Sequence, residues 1–307
     1  MIRDSRRDKA YWDEWTTFLE DSIRKAWERL KQPPGDPNYR PQYVFELAND
    51  HYELMLRRYS RGDPVSELSQ YFPGLLKAWE ESERLGKDVW SDEIQYTRHA
   101  WAVNIDHYVR CFWLTGLALT LDIPDEQWQR LLALMGNEGE DALLDRVIAS
   151  RQPGRPIGDK LCFPKAYQRL LDVVEAPAGQ RPQLLRNYLD SWFSSLKNAG
   201  SPSFPKDYRT PYWWDFCTDE AVGMKGGYFG CWCIEAVAVA KALTIDDSLC
   251  LDHPNYPGDL IQDDRGPRYT DPTLSLESNT KRIEPSRAAT QPRSRSWLSR
   301  FLLGSDK

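Results

Sequence analysis

Three side chains in the stretch Cys231-Trp232-Cys233-Ile234-Glu235 could carry chemistry: two thiols suited to a soft metal or to nucleophilic attack, and a carboxylate able to ligate or to move a proton. They sit in an apolar run from Tyr228 to Ile245 whose only charged residues are Glu235 and Lys241, the pattern of a helix surrounded by protein. On such a helix Cys231 and Cys233 point roughly 200° apart. One cation cannot easily be held by both, and Cys231 with Glu235 is one ligand short of even an open zinc site. His99 and His107 lie eight apart on similar faces of one long helix, while His51 and His253 are isolated. No His-x-x-x-His, Cys-x-x-Cys or Gly-x-Ser-x-Gly occurs, and Gly226-Gly227 lacks the Lys-Ser/Thr of a phosphate loop. No metal and no cofactor is expected. No Asp/Glu-x-Lys triplet exists either, which makes the chain a poor nuclease itself.

The carboxylate then needs a structural reason, because an unpaired buried charge costs several kcal/mol. A cation or several donors should stand near Glu235, with Arg98, His107 and Arg110 as candidates on the other long helix. The sharper alternative is an enzyme using Glu235 or His107 in a tryptophan-lined pocket between domains. A third reading is a helical adaptor without catalysis.

The elements that must position these residues are helical throughout. Trp12, Trp15, Leu19, Ile23, Ala26, Trp27 and Leu30 mark one face of a first helix that Pro33-Pro34 must end. Asp63-Pro64 opens a second, running past Trp79 to Gly86. Ser91 precedes a long helix with the stripe Ile94, Trp101, Ile105, Tyr108, Phe112 and Ala118. Asp122 and Pro124 start a short helix closed by Gly136. Residues 150–160, SRQPGRPIGDK, form a joint between an N-terminal helical domain, 1–149, and a C-terminal one, 161–261. Phe163–Val174 and Leu184–Leu196 predict two further helices. Residues 200–222, with three prolines and six aromatics, predict a packed loop. The segments 111–125 and 231–247 resemble each other, each opening on Cys-aromatic and closing on Ile-x-Asp. The fold expected is all-α: two helical bundles packed together, followed by a disordered tail, 262–307, whose end (Trp297 to Leu303) could form a short sticky helix.

Charge narrows the function. The net charge is -6, but residues 262–307 hold nine basic and six acidic side chains, leaving 31 basic and 40 acidic in residues 1–261. A body at -9 repels nucleic acid and favours a basic partner. The charged start predicts no secretion signal, and no apolar stretch approaches the ~20 residues of a membrane span. Six cysteines in such a chain read as reduced cytoplasmic thiols. No stable membrane anchoring is expected, and the chain should be a monomer or homodimer.

The pattern Tyr228-x-Gly230-x-Trp232-x-Ile234-Glu235-Ala236-x-Ala238, then Leu243-x-Ile245-Asp246-Asp247, Leu251-Asp252 and Tyr256-Pro257-x-Asp259-Leu260, resembles the C-terminal domain of PoNi immunity proteins. Asp106-x-Tyr108 with Trp113-Leu114-x-x-Leu117-Ala118-x-x-Leu121-x-Ile123 resembles their N-terminal domain. The resemblance covers roughly residues 5–260; Cys231 and Cys233 depart from it. It implies a non-enzymatic cytoplasmic protein that binds and neutralises a cognate PoNe-type DNase toxin, often one delivered by type VI secretion. A basic nuclease groove would be met by acids and aromatic anchors. Tyr212-Trp213-Trp214-Asp215 with Asp219 and Glu220 is one candidate surface; Asp246, Asp247, Asp252 and Asp259 form a second. Both have a plainer reading, as loop seal and as helix caps.

Overall fold

Two helices that are buried on nearly every side form the centre of the protein. They are α5 (Ile105–Thr120) and α11 (Ile234–Leu243), the two members of the internal resemblance, and they pack on each other. Gly116 makes the contact: a Cβ there would stand 2.8 Å from Ile234 Cγ2 and 3.0 Å from Ala238 Cβ. The computed structural model describes residues 1–270, the side chain of Glu220 excepted. Among them the architecture is all-α, with one isolated antiparallel bridge between Ile2 and Tyr269.

Around the central pair lie α1 (Lys9–Leu30), α2 (Arg40–Arg61), α3 (Phe72–Gly86), α4 (Asp92–His99), α6 (Asp125–Met135), α7 (Leu144–Ala149), α8 (Pro164–Glu175) and α9 (Arg181–Ser195); α10 (Glu220–Val222) is a single turn. Helix α1 packs on α2, α2 on α3, and α8 on α9, while α11 touches α7, α8 and α9. The buried apolar residues form one contiguous core from Ile2 to Leu260. The helix ends follow local chemistry. Asp8 caps α1 by accepting from Tyr11 N–H at 2.8 Å, and α2 ends at Gly62, whose φ of 99° closes the turn. No helix of the described residues is long and apolar enough to cross a membrane.

Several expectations are corrected. The long helix after Ser91 is two helices, because Ala100 is extended and Asn104 caps α5 by accepting from His107 N–H. Asn137 holds the break, accepting from Trp101 N–H and donating to His99 O. The helix expected from Asp63-Pro64 begins as a 3-10 turn, Val65–Tyr71, and α3 starts only at Phe72-Pro73. The run from Tyr228 is helical only from Ile234. Before it, Gly230 takes a φ of 111°, Cys233 N–H bonds Asn255 O, and Asn255 Nδ2 donates to Cys231 O. Helix α2 has no counterpart among the predicted elements. Residues 262–270 are fixed rather than tail-like: Arg265 and Arg268 pair with Asp247 and Asp259, and Tyr269 bridges to Ile2. The rest of the expected tail, with its sticky helix, lies outside the described residues.

Candidate functional site

Glu235 occupies the first turn of α11 and is fully buried. Its Oε1 accepts from the Tyr167 hydroxyl of α8 at 3.1 Å, while Oε2 has no hydrogen-bond partner. Desolvation raises its pKa from the ordinary 4.5 to about 7. The backbone at the helix start opposes that rise, as do the indole N–H groups of Trp113 and Trp192 and the Tyr167 hydroxyl. The two indole nitrogens lie near the carboxylate but make no hydrogen bond of normal geometry with it. Trp213 closes the cage, its ring centroid 4.9 Å from that of Trp113 and stacked 5.9 Å from that of Trp192. Helices α5, α8, α9 and α11 thus meet on one carboxyl group.

None of the three expected partners serves it. Arg98 places its guanidinium carbon 3.3 Å from the Trp90 ring centroid and lies 3.8 Å from Glu83, and Arg110 stands over Phe45. His107 Nε2 lies 3.4 Å from Cys111 Sγ, and burial holds the imidazole well below its usual range, neutral. Of the two expected environments, a cation or several donors, the structure has the second: the Tyr167 hydroxyl donates and the Trp113 and Trp192 indoles lie nearby. An acid–base pair of Glu235 and His107 would need solvent access, and both side chains are buried. Burial also pushes the Cys111 thiol up to about 12 and Cys233 well above its ordinary range, which suppresses the thiolate that nucleophilic attack requires. Among the described residues no three His, Cys, Asp or Glu side chains are grouped to hold a metal.

The candidate contact residues divide by burial. Trp213, Asp247 and Asp259 lie inside the protein, which removes them as contact residues: a partner could reach them only by opening the core. Asp259 is ion-paired with Arg3 and, at 2.8 Å, with Arg268; Arg3 also reaches Asp263 at 2.9 Å. Asp247 accepts from Tyr256 Oη at 2.8 Å and pairs with Arg265. Asp259 thus ties the N-terminal segment to residues 263–268, and Asp247 holds Arg265 against the same region. On the surface, Asp219 caps α10 by accepting from Ala221 N–H, Asp246 accepts from Ser248 N–H, and Asp252 pairs with Arg186 of α9. Trp214 is half-buried, stacked 5.0 Å from Phe193 and donating its N–H to Phe193 O, with the Lys197 ammonium 5.0 Å from its ring centroid. Exposed Asp215 makes no hydrogen bond or ion pair through its carboxylate among the described residues. Trp214 and Asp215 border an open groove of about 540 Å³ with Lys197, Lys206 and Tyr212. The side chain of Glu220 lies outside the described ones.

The loop that carries these residues is pinned. Tyr212 N–H donates to Asp106 and its hydroxyl to Glu53, so residues 200–222 seal α5 and α2 as a packed segment. The joint at 150–160 is pinned too, by the buried Arg155–Asp145 pair at 2.7 Å and by Gly158 N–H on Asp145. Sequence reasoning missed Asp50 and Glu53 of α2, whose positions depend on a helix it did not assign.

Two family models match, the N-terminal domain of PoNe immunity proteins over residues 3–133 and their C-terminal domain over residues 139–260. No curated protein matches the chain. Among solved structures, the crystal structure of protein PA2201 from Pseudomonas aeruginosa is similar in fold, with a TM-score of 0.64 at 22% identity, over 86% of this chain and 92% of that one. With both halves matched, the chain belongs to the family of PoNe immunity proteins, PoNi.

Proposed function

We propose that this chain binds a cognate antibacterial DNase toxin in the cytoplasm and blocks its active site or DNA groove, without chemistry of its own. The match of both halves to one immunity family carries the reading. The net charge of -9 on residues 1–261 supports it, since a surface that must displace DNA from a basic groove gains association rate from long-range attraction. In this reading the halves 1–149 and 161–261 act as one rigid body, with Glu235 in their shared core. Trp214, Asp215, Asp219, Glu220, Asp246 and Asp252 contribute to the toxin-facing surface. Helix α9 links its two ends, because Phe193 stacks on Trp214 while Arg186, about 10 Å along the axis, holds Asp252.

The test is co-expression with the nuclease encoded beside this chain's gene, in a host that the nuclease kills. Survival is expected, along with a complex of the purified proteins by calorimetry. Killing that proceeds despite soluble, folded chain would sink the reading. Trp214→Ala with Asp215→Lys should weaken the complex about 10-fold or more while leaving the fold intact.

A further inference from the structure

Glu46, Asp50 and Glu53 follow one side of α2, and their surroundings differ. Glu46 accepts from the side-chain amides of Gln42 and Asn49. Glu53 accepts from the Tyr212 hydroxyl at 3.0 Å and lies 3.7 Å from Arg57. Asp50 is half-buried, and its carboxylate makes no hydrogen bond or ion pair among the described residues. It borders an open groove of about 610 Å³ between α1 and α2. Ala26 and Leu47 lie buried at its floor, Tyr43 adds an aromatic ring, Glu46 lines the α2 side with Asp50, and Lys25, Glu28 and Arg29 stand on the α1 side. Neither Lys25 nor Arg29 forms an ion pair with Asp50 in this arrangement. The groove runs on past Tyr43 to the Pro33–Asp36 turn and to Tyr39, which is 47% exposed.

A mixed polar and apolar trough with an aromatic wall and one carboxyl lacking an ion pair suits a particular guest. Long basic side chains lay their methylenes along apolar surface and need an acceptor for the charged head. A carboxyl left half-buried with no cation is unfavourable in the free protein and becomes favourable when a partner supplies one. We propose that the α1–α2 groove is a docking site for an arginine or lysine side chain from the basic face of the nuclease, with Asp50 as its counter-ion. The inference rests on the function proposed above and adds a contact face distinct from the Trp214–Asp215 groove. Burial, with Glu53 and Glu46 nearby and Arg57 opposing, pushes the Asp50 carboxyl up to about 8. Docking a cation on it therefore ionises Asp50 and releases a proton to solvent.

The experiment uses the full chain and its Asp50→Asn variant. Each is titrated by calorimetry at pH 7.5 with a catalytically inactivated form of the nuclease encoded beside this chain's gene, in two buffers of different ionisation enthalpy. The melting temperature of each free protein is recorded as well. Asp50→Asn should weaken binding about 30-fold or more, remove the buffer-dependent proton release, and leave Tm unchanged or higher. Affinity within threefold of the unaltered chain would overturn the docking site and leave the proposed function standing. A loss of affinity matched by a fall in Tm would assign Asp50 to folding and also overturn it. An unaltered chain that does not bind the nuclease at all would overturn both.

Discussion

Replacing Glu235 by glutamine isolates what this carboxylate costs the fold. The side chain keeps its shape, and the new amide oxygen can still accept from the Tyr167 hydroxyl, but the group cannot ionise. Raising the folded pKa from 4.5 to about 7 means that the native state holds a proton which the unfolded chain has already lost between those pH values. The unfolded state binds fewer protons in that window, so stability falls as pH rises through it, by about 1.4 kcal/mol per pH unit. Below the window both states are protonated and the cost is absent; above it both are ionised and the cost is full, about 3 kcal/mol. The side chain is fully buried, so solvent does not screen this away. Urea denaturation of both proteins at pH 5 and pH 8 reads the effect as a difference, which cancels the other titrating groups. The variant should exceed the unaltered chain by about 1 kcal/mol at pH 5 and by about 3 kcal/mol at pH 8. A difference that stays flat between the two pH values would refute the reasoning. An unaltered chain that is the more stable at pH 8 would show that Trp113, Trp192 and Tyr167 outweigh desolvation and hold the ionised form.

Other perturbations separate structure from contact. Gly116→Val forces the central helices apart at Ile234 and Ala238 and should cost about 1–3 kcal/mol by urea denaturation. Asp259→Asn removes the buried counter-ion shared by Arg3 and Arg268 and leaves them only the more exposed Asp263 and Asp264; a loss of about 1.5–3 kcal/mol is expected, with faster proteolysis at both ends of the described chain. Trp213→Ala empties the cover of the Glu235 cage and should cost about 3–5 kcal/mol in thermal unfolding. Asp215→Lys, on the exposed side of the same turn, should change stability by less than about 0.5 kcal/mol and report on nuclease binding alone.

Helices that bury one stripe against the core were legible from residue spacing, since period alone identifies them; α1, α6, α8 and α9 are of this kind. So was the burial of Glu235, because an apolar run leaves a lone charge nowhere else to go. What spacing could not reach depends on residues far along the chain. Asn137 breaks the helix after Ser91 from outside it, and Asn255 takes the backbone bonds that would have continued α11 back through Cys231. That Glu235 needs a cation or several donors is legible, but which groups supply them is not, because an isolated helix gives no sign of Tyr167, Trp113 and Trp192 converging from three others. The acids are the sharpest case. Asp246 and Asp247 are neighbours of one type, yet Asp247 is clamped by Arg265 and Tyr256 while Asp246 faces water. Asp259 is consumed by an arginine 256 residues away. In an acidic chain, then, the carboxylates free to meet a partner are those that the chain's own scarcer cations fail to reach. Asp215 and Asp50 meet that criterion on two separate grooves, which is the physical ground for testing both as contact points.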